Sequence, residues 1–84
     1  MTDDQIGKLV KDIVASLVDS PDNIKLNVIS TASARILEVE VCKEDIGKVI
    51  GREGKTADAI RTIVYAISGK TKTRTVLNII DTTK

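Results

Sequence analysis

Apolar residues recur at three- and four-residue steps near the start of the chain and predict a first helix over residues 2–19. The apolar face of this helix comprises Ile6, Leu9, Val10, Ile13, Val14, Leu17 and Val18. Thr2 and Gln5 have the spacing of a capping box, and the two aspartates between them suit the positive end of a helix dipole. Pro21 disfavours helical geometry at Ser20, so we expect the helix to end before it.

Two segments in which apolar and polar residues alternate follow the helix and predict a β-hairpin. The first covers residues 24–30, in which Ile29 breaks the alternation. The second covers residues 34–42, where every second residue from Leu37 to Val41 is apolar. Because only a short polar segment separates the two strands, we expect them to pair antiparallel.

The second half of the chain has helical periodicity that glycines interrupt. The pattern predicts a short helix over residues 43–50 and a longer one over residues 55–68, with Gly69 as the C-terminal cap of the longer helix. Residues 51–54, which we call the GxxG loop, separate the two helices. A last strand is predicted over residues 75–81.

The order helix-strand-strand-helix-helix-strand indicates an α+β fold. A helical crossover makes the last strand parallel to the second, whereas the hairpin makes the first two strands antiparallel. We therefore expect a mixed three-stranded sheet that is covered on one face by three helices. With 84 residues the chain has room for a single domain, which we place over residues 1–84.

The composition argues against catalysis and against metal or cofactor binding. The chain has no His, so it has no imidazole general base, and Cys42 is its only thiol, which argues against a zinc site. A single Cys allows no internal disulfide, and this fits a reducing compartment. The N-terminus is acidic where a signal peptide is basic, and the apolar runs are too short to span a bilayer. We expect a non-catalytic cytoplasmic protein without a metal or a cofactor.

The GxxG loop, Gly51–Gly54, is the segment with the most informative chemistry. Neither glycine has a Cβ, so the backbone can approach a ligand closely, and the free N–H groups of the next helix point to the same place. Together with the helix dipole they attract phosphate. Lys48, Arg52 and Lys55 add positive charge there, and Glu53 subtracts some. In isolation a GxxG segment is usually a glycine-capped turn, but the surrounding sequence favours the binding interpretation.

The segment IGKVIGREGK at residues 46–55, followed by Ala59-Ile60-Arg61, resembles the signature of the K-homology (KH) family. The order of elements is similar to the type II KH fold, α-β-β-α-α-β. The length and the opening amphipathic helix resemble those of small single-domain bacterial KH proteins of the KhpA type. The resemblance covers essentially the whole chain.

This resemblance implies single-stranded RNA binding, with the GxxG loop clamping the phosphate backbone of about four nucleotides. It implies that the bases lie in a groove between the two helices and a strand. Carried onto this sequence, the RNA-binding residues are Lys48, Gly51, Arg52, Glu53, Gly54, Lys55 and Arg61. Candidates for the apolar groove floor, for each of which plain core packing is an equal alternative, are Ile46, Val49, Ile50 and Ile60.

Two features predict weak RNA binding by one domain, roughly micromolar or weaker. Glu53 places an acid inside the GxxG loop, and Tyr65, the only aromatic residue, is not among the groove candidates, so we expect no base stacking there. Pairing of domains would raise the effective concentration. The resemblance implies such pairing, as a homodimer or with a larger KH-containing partner, and a role as a post-transcriptional regulator or RNA chaperone.

Charge is distributed unevenly along the chain, although the net charge is only +1. Residues 1–24 sum to −3, and residues 68–75, which contain Lys70, Lys72 and Arg74, sum to +3. This basic segment is either a solvated loop, which we favour, or an extension of the RNA contact. It cannot belong to the groove at the GxxG loop, because the predicted helix between them is roughly 21 Å long.

Two other functions are consistent with parts of the sequence. A KH fold can act as a protein-interaction or dimerisation module with little RNA binding of its own, through the apolar stripe that ends at Ile67 or through the edge strand near Ile29. The segment Gly54-Lys55-Thr56 also matches the end of a nucleotide-binding P-loop. That motif needs a glycine at position 49, which is Val49, so we reject nucleotide hydrolysis.

Overall fold

The computed structural model describes residues 2–80 of the chain. It contains the elements α1 (Asp3–Ala15), β1 (Lys25–Ser30), β2 (Ala34–Glu40), α2 (Ile46–Ile50), α3 (Lys55–Thr71) and β3 (Arg74–Ile80). Short 3-10 turns occur at Pro21–Asn23, Lys43–Asp45 and Arg52–Gly54. The predicted order of elements is confirmed. Residue 1 and residues 81–84 of the predicted domain lie outside the described residues, and with them the last residue of the predicted final strand.

The three strands form one mixed sheet in the order β1-β2-β3. β1 and β2 pair antiparallel, with Leu26 opposite Val39, and β2 and β3 pair parallel, with Leu37 opposite Leu77. β2 is therefore the central strand, and β1 and β3 are edges. This arrangement confirms the mixed sheet that the hairpin and the helical crossover predict.

The helices cover one face of this sheet. α1 packs on β1 and α3 packs on β3, while α2 packs against α3. Residues of β2 alternate between buried and partly exposed, as expected for a strand with one covered face. The core comprises Ile6, Val10, Val14, Ile24, Leu37, Val39, Val41, Ile46, Val49, Ile60, Val64 and Leu77. Gly7 allows α1 to approach β1, because a Cβ there would lie 3.0 Å from Leu26 Cδ2.

α1 ends at Ala15, four residues before the predicted end at residue 19. Its start is as predicted, since Thr2 and Gln5 form a complete capping box. Beyond Ala15 the chain makes a tighter turn, in which the N–H of Leu17 donates to the carbonyl of Val14 at 2.9 Å. Further on, the buried carboxylate of Asp45 accepts hydrogen bonds from the backbone N–H groups of Asp19 at 3.2 Å and Ser20 at 3.0 Å. These two N–H groups therefore do not donate to the carbonyls of Ala15 and Ser16, as a helix reaching residue 19 would require.

The helix α3 runs to Thr71, three residues beyond the predicted end, and Gly69 lies inside it. The residue that ends the helix in the left-handed region is Lys72, with φ 58°. Glycine inside a helix costs only about 1 kcal/mol, so Gly69 does not terminate it. The predicted helix over 43–50 is also divided, into the 3-10 turn Lys43–Asp45 and then α2.

Strand boundaries differ from the prediction by one or two residues. β1 begins at Lys25 rather than residue 24, β2 ends at Glu40 rather than residue 42, and β3 begins at Arg74 rather than residue 75. Ile29, which breaks the alternation, is 43% exposed on the uncovered face of the sheet. In the described part of the chain, none of the helices is long and apolar enough to cross a membrane.

Candidate nucleic-acid interface

The GxxG loop joins α2 to α3 through three residues with positive φ. Gly51 has φ 75° and ψ 176°, Glu53 has φ 57°, and Gly54 has φ 77°. The N–H of Gly51 donates to the carbonyl of Gly47 at 2.8 Å and ends α2, and the N–H of Gly54 donates to the carbonyl of Gly51 at 3.2 Å. The loop is a tight turn in which two left-handed residues in succession, Glu53 and Gly54, lead into α3.

The two glycines of the loop have different surroundings. A Cβ at Gly51 would overlap the side chain and the backbone nitrogen of Thr56, so only glycine fits there. A Cβ at Gly54 would meet nothing within 4 Å. The backbone at Gly54 is therefore open to an approaching molecule, and its φ still favours glycine.

The first turn of α3 lies at this open position. Gly54 is the N-cap residue and has no side chain to cap the helix. The N–H of Lys55 donates to the carbonyl of Arg52, and no side chain of the described residues caps the N–H groups that follow it in the first turn. α3 is 17 residues long and has a substantial dipole, whose positive end is here. This geometry is chemically suited to an anion such as phosphate.

The predicted cations differ in how free they are to contact a ligand. Arg52 and Lys55 are exposed and form no ion pair within residues 2–80. Lys48 instead lies between two carboxylates, with its Nζ 3.3 Å from Asp19 Oδ2 and 3.6 Å from Asp45 Oδ1. The free positive charge next to the GxxG loop is therefore that of Arg52 and Lys55.

Arg61 lies two turns along α3 from the loop and is tied to its neighbours. Its Nε donates to the carbonyl of Leu77 on β3 at 3.5 Å, and its Nη1 lies 3.5 Å from Asp58 Oδ1. This contact shows that the Arg61 flank of α3 faces the edge strand β3. Arg61 is on the side where the predicted groove between helix and strand would run.

Lys48 and Asp45 have shifted pKa values because they belong to one network. The pKa of Lys48 is raised above its ordinary 10.5, chiefly by the hydrogen bond to Asp19. Burial would raise the pKa of Asp45, but hydrogen bonds from Cys42, Asp19 and Ser20 and the charge of Lys48 outweigh burial and lower it below 3.8. Asp45 is therefore an ionised, structural carboxylate at neutral pH.

Cys42 also belongs to this network. Its thiol donates to Asp45 Oδ2 at 3.2 Å. This hydrogen bond, followed by burial, raises the pKa of Cys42 above 9.0, which keeps the thiol protonated and poorly reactive at neutral pH. Within residues 2–80 the structure contains no group of three or more His, Cys, Asp or Glu residues placed to hold a metal ion.

The groove candidates divide into core and surface positions. Ile46, Val49 and Ile60 are 7%, 0% and 3% exposed and pack in the core. Ile50 is partly exposed and is the candidate that offers accessible apolar surface in this conformation. A cavity of about 380 Å³ lies elsewhere, between the start of β1 and the segment after β2. A site for an extended chain is an open groove, and it does not need an enclosed cavity.

The sequence pattern does not predict that Lys48 is paired. The predicted helices over residues 2–19 and 43–50 contain Asp19 and Asp45, but the pattern indicates no contact between these helices. The packing of the α1–β1 connection near α2 brings Asp19 to Lys48, whereas Asp45 is a neighbour along the chain. The one sequence signal is the spacing of Asp45 and Lys48, three residues apart, which permits a pair on one turn.

An α-β-β-α-α-β order, a mixed three-stranded sheet and a GxxG loop between the second and third helices together define a KH domain of type II. Comparison with known proteins agrees. The family profile described as "KhpA/KhpB, KH domain" matches residues 7–79. The chain belongs to this family.

Relatives in bacteria are similar over most of their length. The chain is 49% identical to "RNA-binding protein KhpA" of Borreliella burgdorferi over 74 residues, which are 88% of this chain and 90% of the relative. It is 47% identical to the protein of the same name from Caldanaerobacter subterraneus over 75 residues, which are 89% of this chain and 100% of the relative. A third protein of that name, from Mycobacterium tuberculosis, is 44% identical over 61 residues, which are 73% and 76% of the two chains.

Proposed function

We propose that the protein binds single-stranded RNA by holding the phosphate backbone of about four nucleotides at the GxxG loop. The observation that carries the proposal is the backbone geometry of this loop. Its glycines have positive φ, the Cβ position of Gly54 is empty space, and the uncapped start of α3 lies beside it. The printed names of the relatives, which call those proteins RNA-binding, support it.

In the proposed mechanism, phosphate oxygens accept hydrogen bonds from the N–H groups in the first turn of α3 that follow Lys55, and Arg52 and Lys55 neutralise the remaining charge. Glu53 lies in the same loop, and its negative charge weakens the attraction for phosphate. The bases lie along α3 toward β3, near Ile50 and Arg61. Only unpaired bases can enter such a groove, so single strands bind and duplexes do not.

The proposed role is non-enzymatic and cytoplasmic. A domain that holds four nucleotides weakly through their backbone acts on many RNAs, as a post-transcriptional regulator or an RNA chaperone does. Neither role needs a metal or a cofactor. The role is tested separately from binding, by asking whether the protein accelerates annealing of complementary RNA strands in vitro.

Fluorescence anisotropy with a five-nucleotide single-stranded RNA tests the proposed site. Arg52→Asp reverses a charge in the GxxG loop, and Lys11→Asp makes the same change at an exposed lysine of α1 that forms no ion pair within residues 2–80. We expect Arg52→Asp to weaken binding at least ten-fold and Lys11→Asp to change it less than three-fold, because phosphate contact at the loop is short-ranged. Circular dichroism shows whether both variants are folded. Equal losses for the two folded variants would exclude the GxxG loop as the site.

A second candidate function is self-association or pairing with a larger KH-containing protein. Two of the three large apolar side chains that the structure leaves exposed, Ile63 at 46% and Tyr65 at 57%, lie on α3. If α3 is an interface, Ile63→Glu lowers the molar mass measured by light scattering, whereas Ile29→Glu, at an equally exposed position on β1, leaves it unchanged. A monomeric wild-type protein would exclude the homodimer.

A further inference from the structure

The C-terminal part of the described chain contains basic residues and no acidic ones. From residue 59 to residue 80 there is no Asp or Glu, although the whole chain contains 12 of them. This segment carries four cations, Arg61, Lys70, Lys72 and Arg74. The last three are exposed and form no ion pair within the described range, residues 2–80. No other stretch of similar length in the described part of the chain carries three unpaired cations without an acidic residue.

These three cations are attached to ordered backbone. Lys70 is in the last turn of α3, Lys72 is its left-handed cap, and Arg74 is the first residue of β3. The hydroxyl oxygen of Ser68 accepts a hydrogen bond from the N–H of Thr75 at 2.8 Å, which holds the end of α3 to the start of β3. A lysine at φ 58° is less favourable than Gly or Asn there, by roughly 1 kcal/mol. Charges on a fixed turn lose little entropy when they bind an anion.

Tyr65 lies between these cations and the GxxG loop. It is one helical turn after Arg61 and one turn before Ser68, both of which contact β3, so all three residues share the flank of α3 that faces the free edge of this strand. Tyr65 is nevertheless 57% exposed. It is the only aromatic side chain in the protein, and its ring is accessible for stacking with another planar group.

The distance between the two basic regions sets the length of a ligand that touches both. α3 has 17 residues, which gives a length of about 25 Å. At the rise of 3.4 Å per stacked nucleotide this corresponds to about seven nucleotides. An RNA of four or five nucleotides held at the GxxG loop ends before the far cations, whereas an RNA of 15 nucleotides passes them.

We propose that Tyr65, Lys70, Lys72 and Arg74, which we call the distal surface, form a second contact for the same single-stranded RNA. Tyr65 stacks on a base, and the three cations bind phosphates beyond the four nucleotides at the GxxG loop. A single-stranded RNA is the occupant that fits, because the distal surface combines free positive charge, which attracts phosphates, with one exposed aromatic ring, on which a base can stack. The inference rests on the proposed RNA-binding function and assigns to the protein a longer binding site.

The cations are tested by the salt dependence of RNA binding. In the variant Lys70→Gln/Lys72→Gln/Arg74→Gln, the slope of log K against log salt for a 15-nucleotide RNA falls by about 2, which is 0.7 per lost phosphate contact. Binding of a five-nucleotide RNA is unchanged. The control Lys8→Gln/Lys11→Gln/Lys25→Gln also removes three positive charges, from α1 and β1, where Lys8 is paired with Asp12 and Lys25 with Glu40. We expect it to leave the salt dependence of binding unchanged for the 15-nucleotide and the five-nucleotide RNA. Equal effects of the two triple variants on the 15-nucleotide RNA would overturn the proposal.

The tyrosine is tested directly, since it is the only fluorescent side chain. We expect the 15-nucleotide RNA to quench Tyr65 emission and the five-nucleotide RNA not to quench it, with free N-acetyltyrosinamide as the control for absorption by RNA. Tyr65→Ala weakens binding of the longer RNA about five-fold or more, and Tyr65→Phe retains it. Absence of quenching would overturn the contact of Tyr65 with RNA. A loss of molar mass in Tyr65→Ala without weaker RNA binding would identify Tyr65 as part of a protein interface.

Failure of this inference differs from failure of the proposed function. If the five-nucleotide RNA binds and depends on Arg52, but neither distal variant weakens the 15-nucleotide RNA, only the distal surface is wrong. If the wild-type protein binds neither RNA, both proposals fail.

Discussion

At the scale of single residues, the GxxG loop uses its two glycines for different physical reasons. Gly51 is required by space, because Thr56 occupies the volume of a Cβ, and also by its positive φ. Gly54 is required by φ alone. Glu53, between them, adopts φ 57° without being glycine, so the loop holds a backbone conformation that costs roughly 1 kcal/mol.

We predict that Gly51→Ala lowers the free energy of unfolding by more than about 2 kcal/mol, because overlap adds to backbone strain. Gly54→Ala lowers it by about 1 kcal/mol, because only the left-handed φ is penalised. Urea titration followed by circular dichroism measures both variants. Similar losses for the two variants would contradict the overlap at Gly51.

A second prediction at this scale concerns the two lysines that flank the loop. Lys55 is free, whereas the ammonium of Lys48 lies between Asp19 and Asp45. We therefore expect Lys55→Ala to weaken RNA binding about five-fold and Lys48→Ala to weaken it less than two-fold, since a lysine already paired neutralises little phosphate charge. Anisotropy with the five-nucleotide RNA measures both variants.

Comparison of Asp19→Asn with the double variant Asp19→Asn/Lys48→Ala tests whether the ion pair with Asp19 is what restrains Lys48. If pairing restrains Lys48, Asp19→Asn strengthens RNA binding and the added Lys48→Ala removes that gain. Asp22→Asn removes the same charge from an exposed residue that forms no ion pair in the described part of the chain. An equal gain from Asp22→Asn would show a general charge effect instead.

At the scale of elements, α3 is the helix that places the site. It begins at the GxxG loop, packs on β3, and carries Arg61 and Tyr65 on the flank that faces this strand. Its length, extended past Gly69 to Thr71, determines where the basic turn lies. A helix that ended at Ser68 would bring Lys70 and Lys72 into a loop and not onto ordered backbone.

The extent of α3 is tested by Gly69→Ala. A Cβ at Gly69 would meet nothing within 4 Å, and the residue is helical, so we expect a gain of about 0.5–1 kcal/mol in the free energy of unfolding. If Gly69 were instead a left-handed cap, the same substitution would destabilise the protein. The sign of the change, measured by thermal or urea unfolding, decides between the two structures.

At the scale of the whole molecule, Asp45 joins parts of the chain that are distant in sequence. Its buried carboxylate binds the backbone of Asp19 and Ser20, the thiol of Cys42 and the ammonium of Lys48. It thereby links the segment after α1 to the start of α2, the helix that leads into the GxxG loop. The loop depends on a contact that lies well outside it.

We predict that Asp45 makes stability depend on pH in the acidic range. The pKa of Asp45 is lowered on folding, so its contribution is complete above its ordinary value of 3.8 and is lost as the pH falls through the lower folded value. The melting temperature of the wild-type protein therefore falls between pH 6 and pH 3. Asp45→Asn melts at least about 5 °C lower at pH 6 and shows a smaller fall toward pH 3.

Asp22→Asn is the control for this prediction, because Asp22 is an exposed carboxylate. Its melting temperature should follow that of the wild-type protein at each pH. A variant Asp45→Asn with the full acid dependence of the wild-type protein would show that other carboxylates cause it.

The sequence by itself determined the order of elements, the mixed sheet and the position of the GxxG loop. Each rests on a local signal: the period of apolar residues, the capping box at Thr2, and the freedom of glycine at Gly51 and Gly54. Such signals act within a few residues, and for this reason they can be read without the fold.

The tertiary structure alone decided the course of the chain after α1, the contact of Lys48 with Asp19 and the exposure of Tyr65. Asp45, 26 residues further along the chain, accepts a hydrogen bond from the N–H of Asp19 beyond the end of α1. The Nζ of Lys48 lies 3.3 Å from Asp19 Oδ2, and Tyr65 is 57% exposed on a helix that packs against β3. These outcomes depend on which side chains meet across the fold. The local pattern does not contain that information, because an apolar face with a given periodicity can pack against many different segments of the chain.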